Sequence, residues 1–438
     1  MEIHVDPARG PLWQRRSVRI TGAAPGSVVN VRSSTERDGG PWVCQVSFLV
    51  DNHGEVDLDV SAPVSGDYRV ADSMGLFWAQ SSPGAGRPGN EDVHEPISTL
   101  LEAWTIPGSG FEDAPEQRAT VSVEQRLLDE GVQREEIRED GLVGTLFTPA
   151  GEGPFPTIIV MNGSGGGINE VRAAQYASKG IQAFALGYFR AEGLSHYISR
   201  TPLEYLERGI DFITERGNIL GGRPLVSGQS RGGELTLLLA SRYPEKIAGI
   251  AAFVPGSYVF GAQGAADPEE GWNGPTWTSG GEPLAHFWDD NSGVTWQPWD
   301  GDPRPDPHRD VYMDGLHDRE LALASRIPIE NFPGPVACVS GLDDRAWPSS
   351  MASRVVMNTL ARHGHNNTRL HLDYEAAGHN IGVPFLPATL IDVTHPVSGA
   401  KYSNGGTPVG NARASEDSFE QIVDFIITTA ADHNRGEE

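Results

Sequence analysis

Apolar and polar residues alternate with period two along the first 80 or so positions. The runs "SVRITG", "SVVNVRSST", "WVCQVSFLVD", "EVDLDV" and "GDYRVAD" each place every second side chain on one face. Clusters such as "APGS", "ERDGG" and "DNHG" separate them, and these are residues that close tight turns. Short alternating strands at about 8- to 12-residue spacing predict a small β-sandwich of immunoglobulin-like type. "SSPGAGRPGNED", from Ser81 to Asp92, reads as a proline- and glycine-rich loop at its edge.

From about residue 118 the pattern changes. "ATVSVEQRLL" and "VQREEIREDGLVGTLFTPA" read as strands, the second a hairpin turning at Asp140-Gly141. Uniformly apolar runs then appear: "FPTIIVMNGSGGG", "IQAFALGYF", "RPLVSG", "KIAGIAAFVPG" and "PGPVACVSGLDD". Between them, "EVRAAQYASKG", "TPLEYLERGIDFITER" and "ELTLLLASRYP" carry apolar residues at helical spacing, with Thr201 the expected cap of the second. Strands without alternation are buried on both faces, so this order predicts a parallel sheet between layers of helices. The expected division is an N-terminal sandwich with its linker over 1–117 and an α/β domain over 118–438. No internal repeat or low-complexity tract interrupts either part.

Composition narrows the class. A chain of 438 residues exceeds one ordinary domain, and 38% hydrophobic with 21% charged residues fits a globular protein. A formal charge of −26 argues against nucleic acid or an anionic membrane as partner. Cys44 and Cys338 are far apart, so neither a disulfide framework nor a zinc site is expected. The opening "MEIHVDPARGPLWQRR" lacks the apolar stretch of a secretory signal, no apolar run has membrane-spanning length, and "HNRGEE" matches no targeting address. The expectation is a soluble cytoplasmic protein.

The chemistry centres on Gly228-Gln229-Ser230-Arg231-Gly232, a G-x-S-x-G pattern entered by apolar "PLV" and left by the helical "ELTLLLASRY". A serine on such a strand-to-helix turn exposes its hydroxyl, while the helix N-terminus offers N–H groups to a developing oxyanion. A serine hydroxyl needs a base. His379, in the Gly-His loop of "LHLDYEAAGHNIGVPFLP", has the best surroundings; His363, His365 and His371 lie on an apparent helix end and strand. "VACVSGLDDRAWPSS" supplies the acid, Asp344 by its spacing from Gly341, with Asp343 the runner-up. The N–H of Arg231 is one oxyanion donor, and "NGSGGG" supplies the other, Ser164 first and Gly165 next. That loop lacks the G-K-[ST] ending of a phosphate loop and the spacing of a dinucleotide site. The order Ser230, Asp344, His379 is that of the α/β-hydrolase fold.

The same segments, quoted at length, resemble the acyl-CoA thioesterase and bile acid-CoA:amino acid N-acyltransferase (BAAT) family. "GEVDLDVSAPVSGDYRVADSMGLFWAQ", with Asp72 to Trp78 at its end, looks like that family's N-terminal sandwich. "GPFPTIIVMNGSGGG", "YFRAEGLSHYISRTPLEYLERGIDFI", "GQSRGGEL", "GLDDRAWPSS", "YEAAGHNIGVPFLP" and "NGGTPVGNARASEDSFEQIVDFI" look like segments of its catalytic part. The resemblance implies attack on an acyl thioester, an acyl-enzyme, and transfer to water or an amine. It implies coenzyme A or a carrier protein's pantetheine arm as part of the substrate, with no metal or redox cofactor. Conjugating members tend to carry cysteine at the nucleophile and hydrolytic members serine, so Ser230 tilts the reading to hydrolysis. An N- or O-acyltransferase, a carboxylester or peptide hydrolase, and an inactive binding protein on the same scaffold are the alternatives.

One segment departs from that pattern. Residues 257–325 form an insertion rich in tryptophan, with Trp272, Trp277, Trp288, Trp296 and Trp299. Two readings stand: anchors of an irregular loop, or a lid whose aromatic faces line an acyl pocket. Arg231 likewise has two readings, contact with an anionic substrate group or pairing with a nearby carboxylate.

Overall fold

The computed structural model describes all residues except 38, 83–91, 106–115, 289–308 and 438. The period-two pattern of the N-terminal sequence becomes two sheets. Glu2–Asp6, Ser17–Thr21 and Val56–Asp57 form one. The other runs, in spatial order, Arg9–Pro11, Arg118–Arg126, Ile97–Thr105, Val28–Arg37, Gly40–Leu49 and Ser65–Gly66. Along Val28–Arg37 and Gly40–Leu49 buried residues alternate with more exposed ones, which puts Val29, Val31, Trp42, Val46 and Phe48 on the inner face.

The segment from Asp72 to Trp78 locks onto itself. Asp72 Oδ2 accepts from the Trp78 indole N–H at 2.8 Å, and Oδ1 accepts from the Met74 backbone N–H at 2.9 Å and Arg15 Nη2 at 2.7 Å. Gly75 is bare because a Cβ there would stand 2.5 Å from the Tyr68 ring.

The first compact unit comprises Met1–Asp129 and Val383–Leu390, so it runs past the expected limit at 117. Arg118–Arg126, expected to open the α/β domain, pairs antiparallel with Ile97–Thr105 from Trp104↔Arg118 to Ile97↔Gln125. The returning segment is tied by the Ala388 N–H to Trp78 O at 2.9 Å and by Thr389 Oγ to Gln80 O at 2.7 Å. Both attachments are long-range hydrogen bonds.

The second unit comprises Glu130–Gly382 and Ile391–Glu438. Its central strands are β1 (Gln133–Ile137), β2 (Val143–Thr148), β3 (Thr157–Met161), β4 (Gln182–Gly187), β5 (Leu225–Gln229), β6 (Ile250–Phe253), β7 (Val336–Gly341) and β8 (Arg369–Tyr374). They lie in the order β1-β2-β4-β3-β5-β6-β7-β8. β1–β2 is the hairpin expected at Asp140-Gly141, β2 meets β4 antiparallel, and every later pair is parallel. Every residue of β3, β4, β6 and β7 is buried, as uniformly apolar strands require.

Helices α1 (Glu170–Ser178), α2 (Leu203–Arg216), α3 (Arg231–Arg242), α4 (Ser349–Arg362) and α5 (Pro408–Glu437) accompany this sheet. This is the α/β-hydrolase arrangement, with Ser230 at the connection between β5 and α3. Asn169 caps α1 by accepting from the Arg172 N–H. Thr201 does not cap α2: Pro202 holds that position, and Thr201 instead pairs with Trp277 in a short parallel strand while its hydroxyl donates to Ile198 O at 2.7 Å. Among the described residues no helix is long and apolar enough to cross a membrane.

Removing the Asp72 carboxylate strands the buried donors it collects, at about 1–3 kcal/mol for each unsatisfied group. Asp72→Ala is therefore expected to lower the stability of the sandwich by about 2–4 kcal/mol in urea unfolding. Trp78→Phe, which removes one donor and leaves the others paired, should cost less.

Candidate active site

β5 ends at Gln229 and α3 starts at Arg231, so the reversal is made by Ser230 alone. Ser230 sits at φ 59°, ψ −118°, a region that disfavours a side chain. The surrounding backbone leaves no alternative. A Cβ at Gly228 would lie 2.2 Å from Gly232 O, and one at Gly232 would lie 2.4 Å from Asn162 O. Strand, helix and the loop after β3 thus meet at backbone contact. The Ser230 N–H is fixed by Phe253 O at 2.9 Å, and its carbonyl accepts from the Glu234 N–H at 3.0 Å.

His379 Nε2 lies 2.8 Å from Ser230 Oγ, and His379 Nδ1 lies 2.8 Å from Asp344 Oδ2. An ionised carboxylate only accepts, so Nδ1 carries the hydrogen and Nε2 is left to accept from the serine hydroxyl. Asp344 is buried and fully engaged. Its Oδ1 accepts from the N–H groups of Ala346 and Trp347 at 3.0 and 3.1 Å, and its Oδ2 also accepts from Ser349 Oγ at 2.5 Å. The His379 loop is held by its own N–H to Asn404 O at 2.7 Å and by the Gly378 N–H to Asn411 Oδ1 at 2.8 Å. Such a chain can take the serine proton onto the imidazole and hold the resulting charge beside a carboxylate.

The other candidates lie elsewhere. Asp343 turns away, accepting from Arg345 Nε and the Gly406 N–H at 3.0 Å each. His363 follows the end of α4, His365 Nε2 meets Gly334 O at 2.9 Å, and His371 Nε2 meets Ser340 Oγ at 2.9 Å.

Arg231 begins α3, where the first turn has N–H groups without intrahelical acceptors. Across from it runs the loop after β3. There the Gly166 N–H is committed to Gly163 O and the Gly167 N–H to Phe189 O, each at 3.0 Å. Ser164 lines the cleft with Ser230, whereas Gly165 does not, its carbonyl accepting instead from Arg190 Nη1 at 2.9 Å. Gly163, not singled out in the sequence, comes nearest: a Cβ there would stand 3.1 Å from Ser230 Cβ.

The Arg231 side chain resolves its two readings. It is buried, with Nη1 2.7 Å from Glu234 Oε2, and its guanidinium lies 5.5 Å from the centre of the Trp347 ring. Glu234 Oε1 accepts from the Trp277 indole N–H at 2.8 Å. Burial pushes the Glu234 carboxyl above its usual range, opposed by Arg231 and these donors.

Trp277 is therefore a strut under α3, and it does not line the cleft. Trp288 is buried against Phe260 and Tyr312, at ring separations of 5.1 and 5.0 Å, and Trp272 lies 6.1 Å from Trp288. Neither lines the cleft. Trp296 and Trp299 lie outside the described residues. The aromatic walls are instead Tyr312, Trp347 and Tyr402, joined by Gln263 and His395. Of these only Trp347 had a local signal, its place three residues after Asp344 in "DDRAW".

Comparison with known proteins gives a consistent result. Residues 201–431 match the profile described as BAAT / acyl-CoA thioester hydrolase C terminal, and residues 14–139 that of the acyl-CoA thioester hydrolase/BAAT N-terminal region. Acyl-coenzyme A thioesterase 6 of Mus musculus is 29% identical over 97% of this chain and 96% of its own length. Peroxisomal succinyl-coenzyme A thioesterase of Mus musculus is 27% identical over 97% and 96%. Among solved structures, an acylaminoacyl peptidase of Pyrococcus horikoshii aligns with 90% of this chain and 55% of its own at 13% identity and a TM-score of 0.41.

Glu234→Leu would leave a buried guanidinium and an indole N–H without acceptor, a loss of about 3–5 kcal/mol. Thermal unfolding is expected to show a lowered midpoint. Glu234→Gln, which keeps an acceptor for Trp277 but not the charge, should fall between it and the wild type.

Proposed function

The chain belongs to the acyl-CoA thioester hydrolase/BAAT family, and from that premise we propose that it is a serine thioesterase working through an acyl-enzyme on Ser230. The observation that carries the reading is the unbroken chain Ser230 Oγ, His379, Asp344, with 2.8 Å at each link. His379 Nε2 takes the proton as Ser230 Oγ attacks the thioester carbonyl carbon. Charge on the carbonyl oxygen meets the N–H groups of Arg231 and of the Ser164 loop; one such donor is worth about 3–4 kcal/mol in the transition state. The tetrahedral adduct collapses, the carbon–sulfur bond breaks, and the imidazolium returns its proton to the departing thiolate. Water then attacks the oxygen ester with His379 again as base, releasing the acid and restoring the Ser230 hydroxyl. Asp344 keeps the imidazole in the useful tautomer throughout. Coenzyme A, or the pantetheine arm of a carrier protein, enters as part of the substrate.

An apolar chamber supports an acyl group as the other part. It is lined by Phe260, Phe287, Leu316 and Met351 and shares Tyr312 and Trp347 with the Ser230 cleft. Tyr312 and Trp347 meet edge to face, 5.6 Å between ring centres, and form the shared wall, so an acyl chain attached at Ser230 would enter this space by displacing one of those rings. The hydrolytic outcome, in preference to transfer to an amine, rests on the serine and on relatives whose names are those of thioesterases.

Followed by thiol release from acyl-CoA, Ser230→Ala and His379→Ala should each lower kcat by about 10⁴-fold or more, with stability retained. Turnover surviving in Ser230→Ala would overturn the reading. Met351→Trp fills the chamber and should depress kcat/KM for a medium-chain acyl-CoA by at least about tenfold while sparing acetyl-CoA, since each lost methylene contact weighs about 1 kcal/mol.

A further inference from the structure

His395 lines the same cleft as Ser230 and Ser164, yet nothing above gives it a task. It follows the strand Asp392–Thr394, whose partner is Lys401–Ser403, and its backbone N–H donates to Ala400 O at 2.7 Å. The ring is buried. Its Nδ1 faces two backbone donors from its own loop, the N–H of Val397 at 3.2 Å and that of Ser398 at 3.3 Å. A nitrogen that accepts from two N–H groups carries no hydrogen, so the imidazole hydrogen is on Nε2. Nε2 stands 2.9 Å from Ser164 Oγ. The imidazole therefore donates and the serine oxygen accepts.

This settles which way the serine hydroxyl faces. With its oxygen engaged by His395, the Ser164 hydrogen must point to another acceptor, and among the described residues Ser164 Oγ has no second protein partner. What it faces is the cleft that it lines with Ser230. Ser164 also directly follows Gly163, the residue whose backbone packs against the Ser230 side chain. A donor held in that cleft beside Ser230 can meet an acyl oxygen as it gains charge, and holding it there in advance avoids reorientation during the reaction.

We infer that His395 is a positioning residue, fixing the Ser164 hydroxyl so that its O–H joins the backbone N–H groups on the oxyanion. The assignment rests on the acyl-enzyme reading of Ser230. It gives the hairpin Asp392–Ser403 a role in the reaction: the loop sets the tautomer, the tautomer sets the serine rotor, and the rotor adds a side-chain donor to the oxyanion site. Ser164 thereby acts through its side chain as well as its backbone.

The test is a double-mutant cycle on the full chain, read as kcat and KM for acyl-CoA hydrolysis. Ser164→Ala and His395→Leu should each lower kcat by about 10- to 100-fold with KM within about twofold, the pattern of a contact made in the transition state. The double variant should fall no further than either single one, because both remove the same donor. His395→Gln, whose terminal amide N–H reaches the place of Nε2, should recover most of the loss, and His395→Asn, which is too short, should not. If His395→Leu does not fold, the Gln and Asn variants carry the comparison alone. Multiplying losses in the double variant, a change confined to KM, or equal activity of the Gln and Asn variants would overturn the assignment. Ser230→Ala, run alongside, separates the two failures: turnover surviving there defeats the acyl-enzyme reading, whereas multiplying losses with Ser230→Ala inactive defeat only the role of His395.

Discussion

The active-site geometry depends on the backbone contact between β5, α3 and the loop after β3. Ser230 is held at φ 59° because its neighbours on three sides are packed main chain. A residue in that region costs of order 1–3 kcal/mol and persists only where its surroundings over-determine it. Here the surroundings are two glycines with no room for a Cβ and the Ser230 N–H locked to Phe253. The strain has a direct chemical result. It brings the hydroxyl to His379, with the first turn of α3 directly after it.

Around that turn Asp344, Arg231 and Glu234 are buried, and each is matched by a polar partner. Asp344 uses both carboxylate oxygens twice, so its last acceptor position can be spent on one imidazole orientation only. Arg231 and Glu234 form a buried ion pair in the first turn after Ser230, and the pair recruits Trp277 from the 257–325 insertion. Removing one member of such a pair leaves a buried charge, so the insertion is coupled to α3 by electrostatics as well as by packing. The aromatic cluster of Phe260, Phe287, Trp288, Tyr312 and Trp347 continues from there to the rim of the cleft.

Much of this was legible in the chain. The uniformly apolar strands announced a sheet covered on both faces, and the alternating ones announced a sandwich, because burial on one or two faces writes itself into local period. Ser230, Asp344 and His379 come together because each ends or follows a strand of one sheet, an order that sequence preserves. What local pattern could not reveal was partnership. Arg118–Arg126 reads as a strand, but which sheet it joins is decided by Ile97–Thr105, whose outward positions include Leu100 and Trp104 and so blur its alternation. The tryptophans announced aromatic packing, yet Trp277 is placed by a glutamate 43 residues earlier and Trp288 by Tyr312. His395 had no local mark at all; its significance lies in a hydrogen bond to a residue 231 positions away.

These strands meet in one claim, that the strained serine becomes covalently acylated. Intact-mass spectrometry of the protein after brief exposure to acyl-CoA thioesters tests it directly. The account predicts a transient adduct of acyl mass that maps to the peptide containing Ser230 and is absent from Ser230→Ala. Hydrolysis proceeding with no adduct under rapid quench, or an adduct that persists in Ser230→Ala, would contradict it.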